Sequence, residues 1–291
     1  MRPTFIADLH CHSVISDGTL TPEELAARAK ANGVQLWALT DHDEVGGQAR
    51  AAAAAAANGL DYLSGVEISI SFLTQTVHIV GLGFDATDAQ LWHGLQRTRG
   101  GRAQRACDMA ADLARVGITG TFEGALTYAG NPDLISRTHF ARYLVETGVC
   151  KDTYEVFRKY LTEGKPGFVE HRWATLKDAV TWIRDAGGVA VVAHPARYKF
   201  SATQEFALFT EFKGHGGQGV EVVTGSHSAA EYVTYADLAT ELGLVASIGS
   251  DFHSPTESRT DLGTLPALPT QLTPVWTLLH DHIQRAPAAS L

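Results

Sequence analysis

In the stretch FIADLHCHSVISDG, His10 and His12 stand two apart behind the apolar run Phe5-Ile6-Ala7, and Asp17 follows in a Ser16-Asp17-Gly18 turn. Residues two apart on a strand share a face, so both imidazoles point one way and Cys11 packs the other. Two imidazoles on one face can hold a divalent cation, although strand histidines are often merely hydrogen-bonded. Repetition strengthens the pattern. TDHD brings Asp41 and His42, GVEISI brings Glu67, VHIVG brings His78, AHPAR brings His194, and GSDFH brings Asp251 and His253. Six of the 13 histidines thus sit at or near the ends of apolar runs, with Asp17, Glu67 and Asp251 beside them. Burying so many titratable groups unpaired would cost several kcal/mol each. A cluster of divalent ions removes that cost, and mixed imidazole and carboxylate donors suit Mn, Fe or Zn. Scattered surface polarity, the competing reading, leaves the recurrence at strand ends unexplained.

Those runs must be strands held by helices. Thr21-Pro22-Glu23-Glu24 carries a cap, a proline at the first helical position and a carboxylate to close a capping box, and Gly33 ends that helix. VQLWALTDHD is a strand, and Gln48 to Ala57 an alanine-rich helix stopped by Asn58-Gly59. LDYLSGVEISI and TVHIVGLGF are expected to be neighbouring strands. Residues 87–165 carry helix and loop without a comparable strand. Helix and strand then alternate: LKDAVTWIRDAGG, VAVVAHPAR, GVEVVTG, AAEYVTYADLATELG and LVASIGSDFH. Alternation predicts a parallel sheet with helices outside, and chemistry at the C-terminal strand ends suits a barrel. An open doubly wound sheet lacks its phosphate loop, because GHGGQG precedes a strand instead of joining strand to helix.

A chain of 291 residues, 45% hydrophobic, can bury one large domain or a domain with an insertion. No apolar run approaches the roughly 18–20 residues that span a bilayer, and no secretory leader is evident. Three scattered cysteines fit a reducing cytoplasm. A net charge of −9 argues against a broad face for duplex DNA. Residues 97–172 nevertheless hold 12 basic against 9 acidic groups, which suits that stretch to an anion.

In order, DLHCHSVISDG, TDHD, GVEISI with VHIVG, AHPAR and GSDFH resemble the motifs of the PHP (polymerase and histidinol phosphatase) family, over about residues 5–85 and 176–265. The resemblance implies an α/β fold, a distorted (β/α)7 barrel with three metal ions. His10, His12, Glu67 and Asp251 would hold the first; Glu67 would bridge to a second completed by His78 and His194. Asp17, His42 and His253 would hold the third. Members acting on histidinol phosphate often carry His where Asp17 stands, which counts against that activity. An acid there also makes the third site harder, favouring manganese over zinc or iron. Asp8 and Asp41 would orient histidines, and Asp43 is taken as a solvated turn residue. Ions about 3.5–4 Å apart lower the pKa of a shared water toward about 7, so a metal-bridging hydroxide can attack a phosphate ester in line.

The basic stretch 97–172 is expected to form a mainly helical cap over a barrel of residues 1–96 and 173–291. In LISRTHFARYL, Arg137 stands at a helix start and is a natural phosphate seat; His139 is taken as structural. EGKPGFVEHRW puts Lys165 and His171 in a Gly/Pro loop, as phosphate contacts or surface groups. Arg197 in AHPAR and His227 in TGSHS are expected to touch substrate. Glu221 is structural or orienting, Arg99, Arg102 and Arg105 are a solvated helix face, and His93, His215, His280 and His282 are surface residues. The cap motifs ISRTHFAR and GKPGFV resemble the bacterial group acting on nucleoside 3′,5′-bisphosphates and on the 5′ ends of short RNA. The implied activity removes the 3′-phosphate, leaving a nucleoside 5′-monophosphate. Alternatives are a 5′-to-3′ exonuclease on short RNA, a histidinol-phosphate-type phosphatase, and a non-catalytic metal- or nucleotide-binding module. The expected partner is a small phosphorylated nucleotide, with short RNA second; neither duplex DNA nor membrane is expected, and no motif fixes an oligomeric state.

Overall fold

Seven strands pair side by side in chain order: β1 (Ala7–Asp8), β2 (Leu36–Leu39), β3 (Asp61–Phe72), β4 (Gln75–Leu82), β5 (Val189–Val192), β6 (Gly219–Thr224) and β7 (Val245–Gly249). In this computed structural model, which describes residues 5–287, the sheet nearly closes into the expected barrel. Leu9 N–H donates to Ile248 O (3.0 Å) and His12 N–H to Phe252 O (2.8 Å), joining the first strand region to the last. Met1–Thr4, part of the stretch searched for a leader, lie outside the described residues.

The expectation of a parallel sheet fails at β4, which runs antiparallel to both β3 and β5. Only Leu73 and Thr74 separate the paired Phe72 and Gln75, and so short a loop allows only an antiparallel hairpin. Leu73 takes the positive φ (53°) that such a loop needs. Gly or Asn usually supplies it, and their absence hid the turn.

Helices α1 (Pro22–Ala31) and α2 (Gln48–Ala57) begin and end where the sequence indicates; Thr21 and Glu24 form the capping box. Their leucine and alanine faces pack with Trp37 and Tyr62. Helices α3 (Ala89–Arg99) and α8 (Leu176–Asp185) press Leu95, Trp182 and Ile183 onto the barrel's valine-rich strands. Helices α9 (Ala202–Gly214) and α10 (Ala229–Leu242) cover the next strands with Phe209, Phe212 and Tyr235.

Between α3 and α8 lie α4 (Arg102–Arg115), α5 (Thr121–Leu126), α6 (Arg137–Glu146), and α7 (Thr153–Val156) continued by a π turn. They bury an apolar cluster of their own, including Met109, Leu113, Phe140, Leu144 and Leu161, separate from the barrel core. Ion pairs, buried or part-buried, tie this layer and the end of α3 to the barrel. Arg102 donates to Asp43, Arg99 to Glu44 (2.7 Å), and Arg142 to both oxygens of Glu257 (2.9 and 2.7 Å). Arg99, Arg102 and Arg105 are therefore no solvated face. Arg102 and Arg105 are buried, with guanidinium carbons 4.6 and 5.4 Å from the centre of the Trp173 ring. Asp43 is likewise fully buried and also accepts Ser69 N–H (2.7 Å). Among the described residues all three cysteines are free, and Cys11 Sγ accepts the Trp37 indole N–H (3.2 Å). No described helix is long and apolar enough to cross a membrane.

Candidate metal centre

The hairpin register pairs Ser69 with His78 and Glu67 with Val80, which puts Glu67 and His78 on one face. The chain past β2 runs alongside, with His42 bridged to Glu67. Asp251 N–H donates to His10 O (2.8 Å), which brings the β7 end beside the first histidine pair. Gly249 permits that approach, since a Cβ there would lie 2.2 Å from the Cβ of His10. His194 (φ 27°) and Asp251 (φ 55°) take backbone conformations that are costly outside glycine and that collect at functional sites.

The nine expected donor residues come together. Glu67 is central: Oε1 lies 2.9 Å from His78 Nδ1, 3.0 Å from His194 Nε2 and 3.3 Å from His10 Nε2. Its Oε2 lies 2.9 Å from His42 Nδ1 and 3.2 Å from His12 Nε2. Asp251 Oδ1 stands 3.3 Å from His12 Nε2, and Asp17 Oδ1 stands 3.4 Å from His253 Nε2. The donors form overlapping groups, with His12 also beside Asp17 and His253, and His42 also beside Glu67 and His78. Beyond the expected bridge at Glu67, His12 and His42 are thus also shared between groups.

Divalent cations fit this arrangement. Glu67 Oε2 and Asp17 Oδ1 are buried without a hydrogen-bond partner, and donor atoms about 3 Å apart suit ligand bonds of about 2.0–2.2 Å to a common ion. Burial would push Glu67, Asp17 and Asp251 upward, but the imidazoles around them outweigh it and hold all three well below the carboxylate range. Burial takes His194 down to about 4. For His12 it is outweighed by Asp251 and Glu67, which push the ring up to about 10. The acidic cluster draws a proton there that a divalent ion would displace.

Glu221 is the group that aims the first ligands. Its Oε1 meets His10 Nδ1 (2.7 Å) and its Oε2 accepts His194 N–H (2.7 Å). Asp8 and Asp41, expected to orient histidines, hold no imidazole ring. Asp8 accepts Ser250 and Gly263 N–H (both 2.9 Å), and Asp41 accepts Ser13 N–H (2.8 Å) and the Ser13 and Ser16 hydroxyls. They brace the loops that carry ligands. Glu221→Gln is expected to weaken ion binding about 10–100-fold, read by titrating apo-protein with Mn²⁺; unchanged affinity would remove Glu221 from the site.

A cavity of about 950 Å³ lies between the helical layer and the β3–β4 hairpin, and reaches His78 and His194. Arg105, Arg137, His171, Arg197, Trp173 and Tyr198 line it. Arg137 donates to Leu161 O (3.3 Å) and packs on Phe157; burial, with Arg197 and Arg102 nearby, lowers it to about 10, still cationic at neutral pH. Arg197 reaches Asp251 Oδ2 (2.7 Å), and the His171 ring meets that of Trp173 at 4.2 Å. Two expected substrate contacts are not brought here. Lys165 is exposed in its loop, off this cavity. His227 is buried with both ring nitrogens occupied, Nδ1 by Val222 O and Nε2 by Ala196 N–H (both 3.2 Å). It buttresses the turn between His194 and Arg197, leaving no ring nitrogen for phosphate. Sequence reasoning missed Arg105 and Trp173; the aromatic interleaved with basic residues in VEHRW was the available signal.

A barrel that pools six imidazoles and three carboxylates beside a cationic cavity is the architecture of a metal-dependent phosphoesterase. The chain belongs to the PHP domain family, whose model matches residues 8–162. It is 52% identical over 278 residues to a 3′,5′-nucleoside bisphosphate phosphatase of Chromobacterium violaceum, covering 96% of this chain and 98% of that one. It is 39% identical over 269 residues to a 5′-3′ exoribonuclease of Haemophilus influenzae, covering 92% and 97%. A solved Chromobacterium violaceum structure, described as an amidohydrolase with bound sulfate and no metal, superposes with a TM-score of 0.94. It is 52% identical, with 97% of this chain and 99% of that chain covered.

Proposed function

We propose that this chain hydrolyses the 3′-phosphate of nucleoside 3′,5′-bisphosphates, releasing phosphate and a nucleoside 5′-monophosphate. The observation that carries the reading is the cavity itself, whose lining joins His78 and His194 of the donor cluster to the guanidinium groups of Arg105, Arg137 and Arg197. A substrate with two phosphates fits such a site, one phosphate at the donors and one on the guanidinium groups, with the aromatic wall beside the nucleoside. The 52% identical phosphatase supports it.

The nine donor residues would hold three divalent cations, manganese favoured, in a barrel of residues 1–96 and 173–291 capped by 97–172. Such ions supply a water of lowered pKa and neutralise phosphate charge. Arg197, on the rim and paired with Asp251, steers a phosphate oxygen toward the donors. Arg137 grips the distal phosphate, and Trp173 with His171 faces the nucleoside. A nucleotide substrate and three free thiols suit the cytoplasm.

Exonuclease action on short RNA is the second reading, favoured by the 39% identical exoribonuclease and by a cavity near the upper end of small-ligand sites. Turnover of adenosine 3′,5′-bisphosphate against a 5′-phosphorylated oligoribonucleotide decides between them. An oligomer preferred by orders of magnitude in kcat/KM would overturn the phosphatase assignment. Arg137→Ala is expected to raise KM about 10–100-fold, as loss of a charged hydrogen bond implies, with metal content unchanged by elemental assay.

A further inference from the structure

One donor group contains Asp17 with His12, His42 and His253, and the helical layer reaches it directly. Ser136, the N-cap of α6, directs its hydroxyl to Asp17 Oδ2 at 3.3 Å. Asp17 Oδ1 has no hydrogen-bond partner and faces His253 Nε2 at 3.4 Å. The hydroxyl also accepts Thr138 N–H (3.2 Å), which leaves its single proton for the carboxylate. Ser136 N–H in turn donates to Nδ1 of the fully buried His139 (3.0 Å), a capping box with histidine in the place usually held by Glu or Gln.

The same helix grips the other side of that group. Arg142 pairs with both oxygens of Glu257, and the neighbouring Ser258 hydroxyl accepts the backbone N–H groups of His253 (2.8 Å) and Ser254 (3.1 Å). The segment leading into α6 also lies on the loop between His12 and Asp17: a Cβ at Gly130 would come within 2.4 Å of Val14 O. One helix therefore contacts both chain segments that carry Asp17 and His253.

We propose that Ser136, held by His139, is a positioning residue through which the cap sets Asp17 for the third cation, so that cap docking and filling of that site are linked. The proposal rests on the three-cation reading above. Linkage is reciprocal: whatever factor the docked cap adds to ion affinity, the ion returns to cap docking. Arg137 is the next residue in the chain, so the ion would also fix the phosphate seat.

Ser136→Gly removes the hydroxyl yet leaves a tolerated N-cap residue, and Ser136→Thr keeps the hydroxyl. Apo-protein of each form is titrated with Mn²⁺ by calorimetry, and hydrogen exchange across residues 137–146 is followed before and after Mn²⁺. The expected result is three ions in the wild type and in Ser136→Thr, with slowed exchange in α6. In Ser136→Gly one ion weakens about 10–100-fold while two are unchanged, and α6 no longer responds. An unchanged third ion in Ser136→Gly, a Thr variant that behaves like Gly, or wild-type α6 exchange indifferent to Mn²⁺ would each overturn the latch while the phosphatase reading stands. A wild type that binds fewer than three ions would overturn the three-cation reading and the latch with it.

Discussion

Glu67→Gln is expected to abolish turnover, by about 10³-fold or more, some 4 kcal/mol in activation free energy. No other carboxylate among the described residues faces so many imidazoles: His10, His12, His42, His78 and His194 all lie within 2.9–3.3 Å of its two oxygens. An amide of the same shape removes one negative charge and turns an N–H pair toward ring nitrogens that must present lone pairs. Both donor groups that share Glu67 should fail together, whereas the group around Asp17 keeps its own donors. Phosphate release and elemental assay on the purified variant provide the measurement. A variant within tenfold of wild-type kcat and with full metal content would remove Glu67 from the centre of the chemistry.

Arg102→Ala is expected to lower folding stability by about 3–5 kcal/mol, because it strands a buried carboxylate. Asp43 is completely enclosed, and its other oxygen is already committed to Ser69 N–H. The guanidinium also lies on Trp173, so packing is lost along with charge. Asp43→Ala alone should cost a similar amount, and the double variant clearly less than the sum, since neither charge is then left unpaired. Urea unfolding of the three variants measures this. Additive losses would show that the two residues act independently, contrary to the contact between them.

The sequence displays the metal centre because most donors lie in or just past apolar strand-like runs, and that signal lies within a few neighbouring residues. His10, Glu67, His194 and Asp251 are all legible on that basis. Pairings set by distant segments are not. Asp43 reads as a turn residue because Arg102 lies 59 positions away, and Ser136 carries no local signal because its partner Asp17 is 119 positions away. Glu221 sits inside a strand whose residues are all buried and whose register shifts between Glu221 and Val223, so alternation does not show which way it points. His227 illustrates the opposite error: a histidine just past a strand end looks available until Val222 and Ala196 occupy its ring.

The seam between β1 and β7 governs when this centre can exist during synthesis. His10 is translated early and Asp251 late, yet the backbone bond from Asp251 N–H to His10 O and that from His12 N–H to Phe252 O define one rim. A nascent polypeptide still missing its last strand offers ions only part of their cage. The group of His42, Glu67 and His78 is complete early, whereas the groups that include Asp251 or His253 wait for the long-range pairing of first and last strands. The full set of nine donors is assembled only when the ring closes.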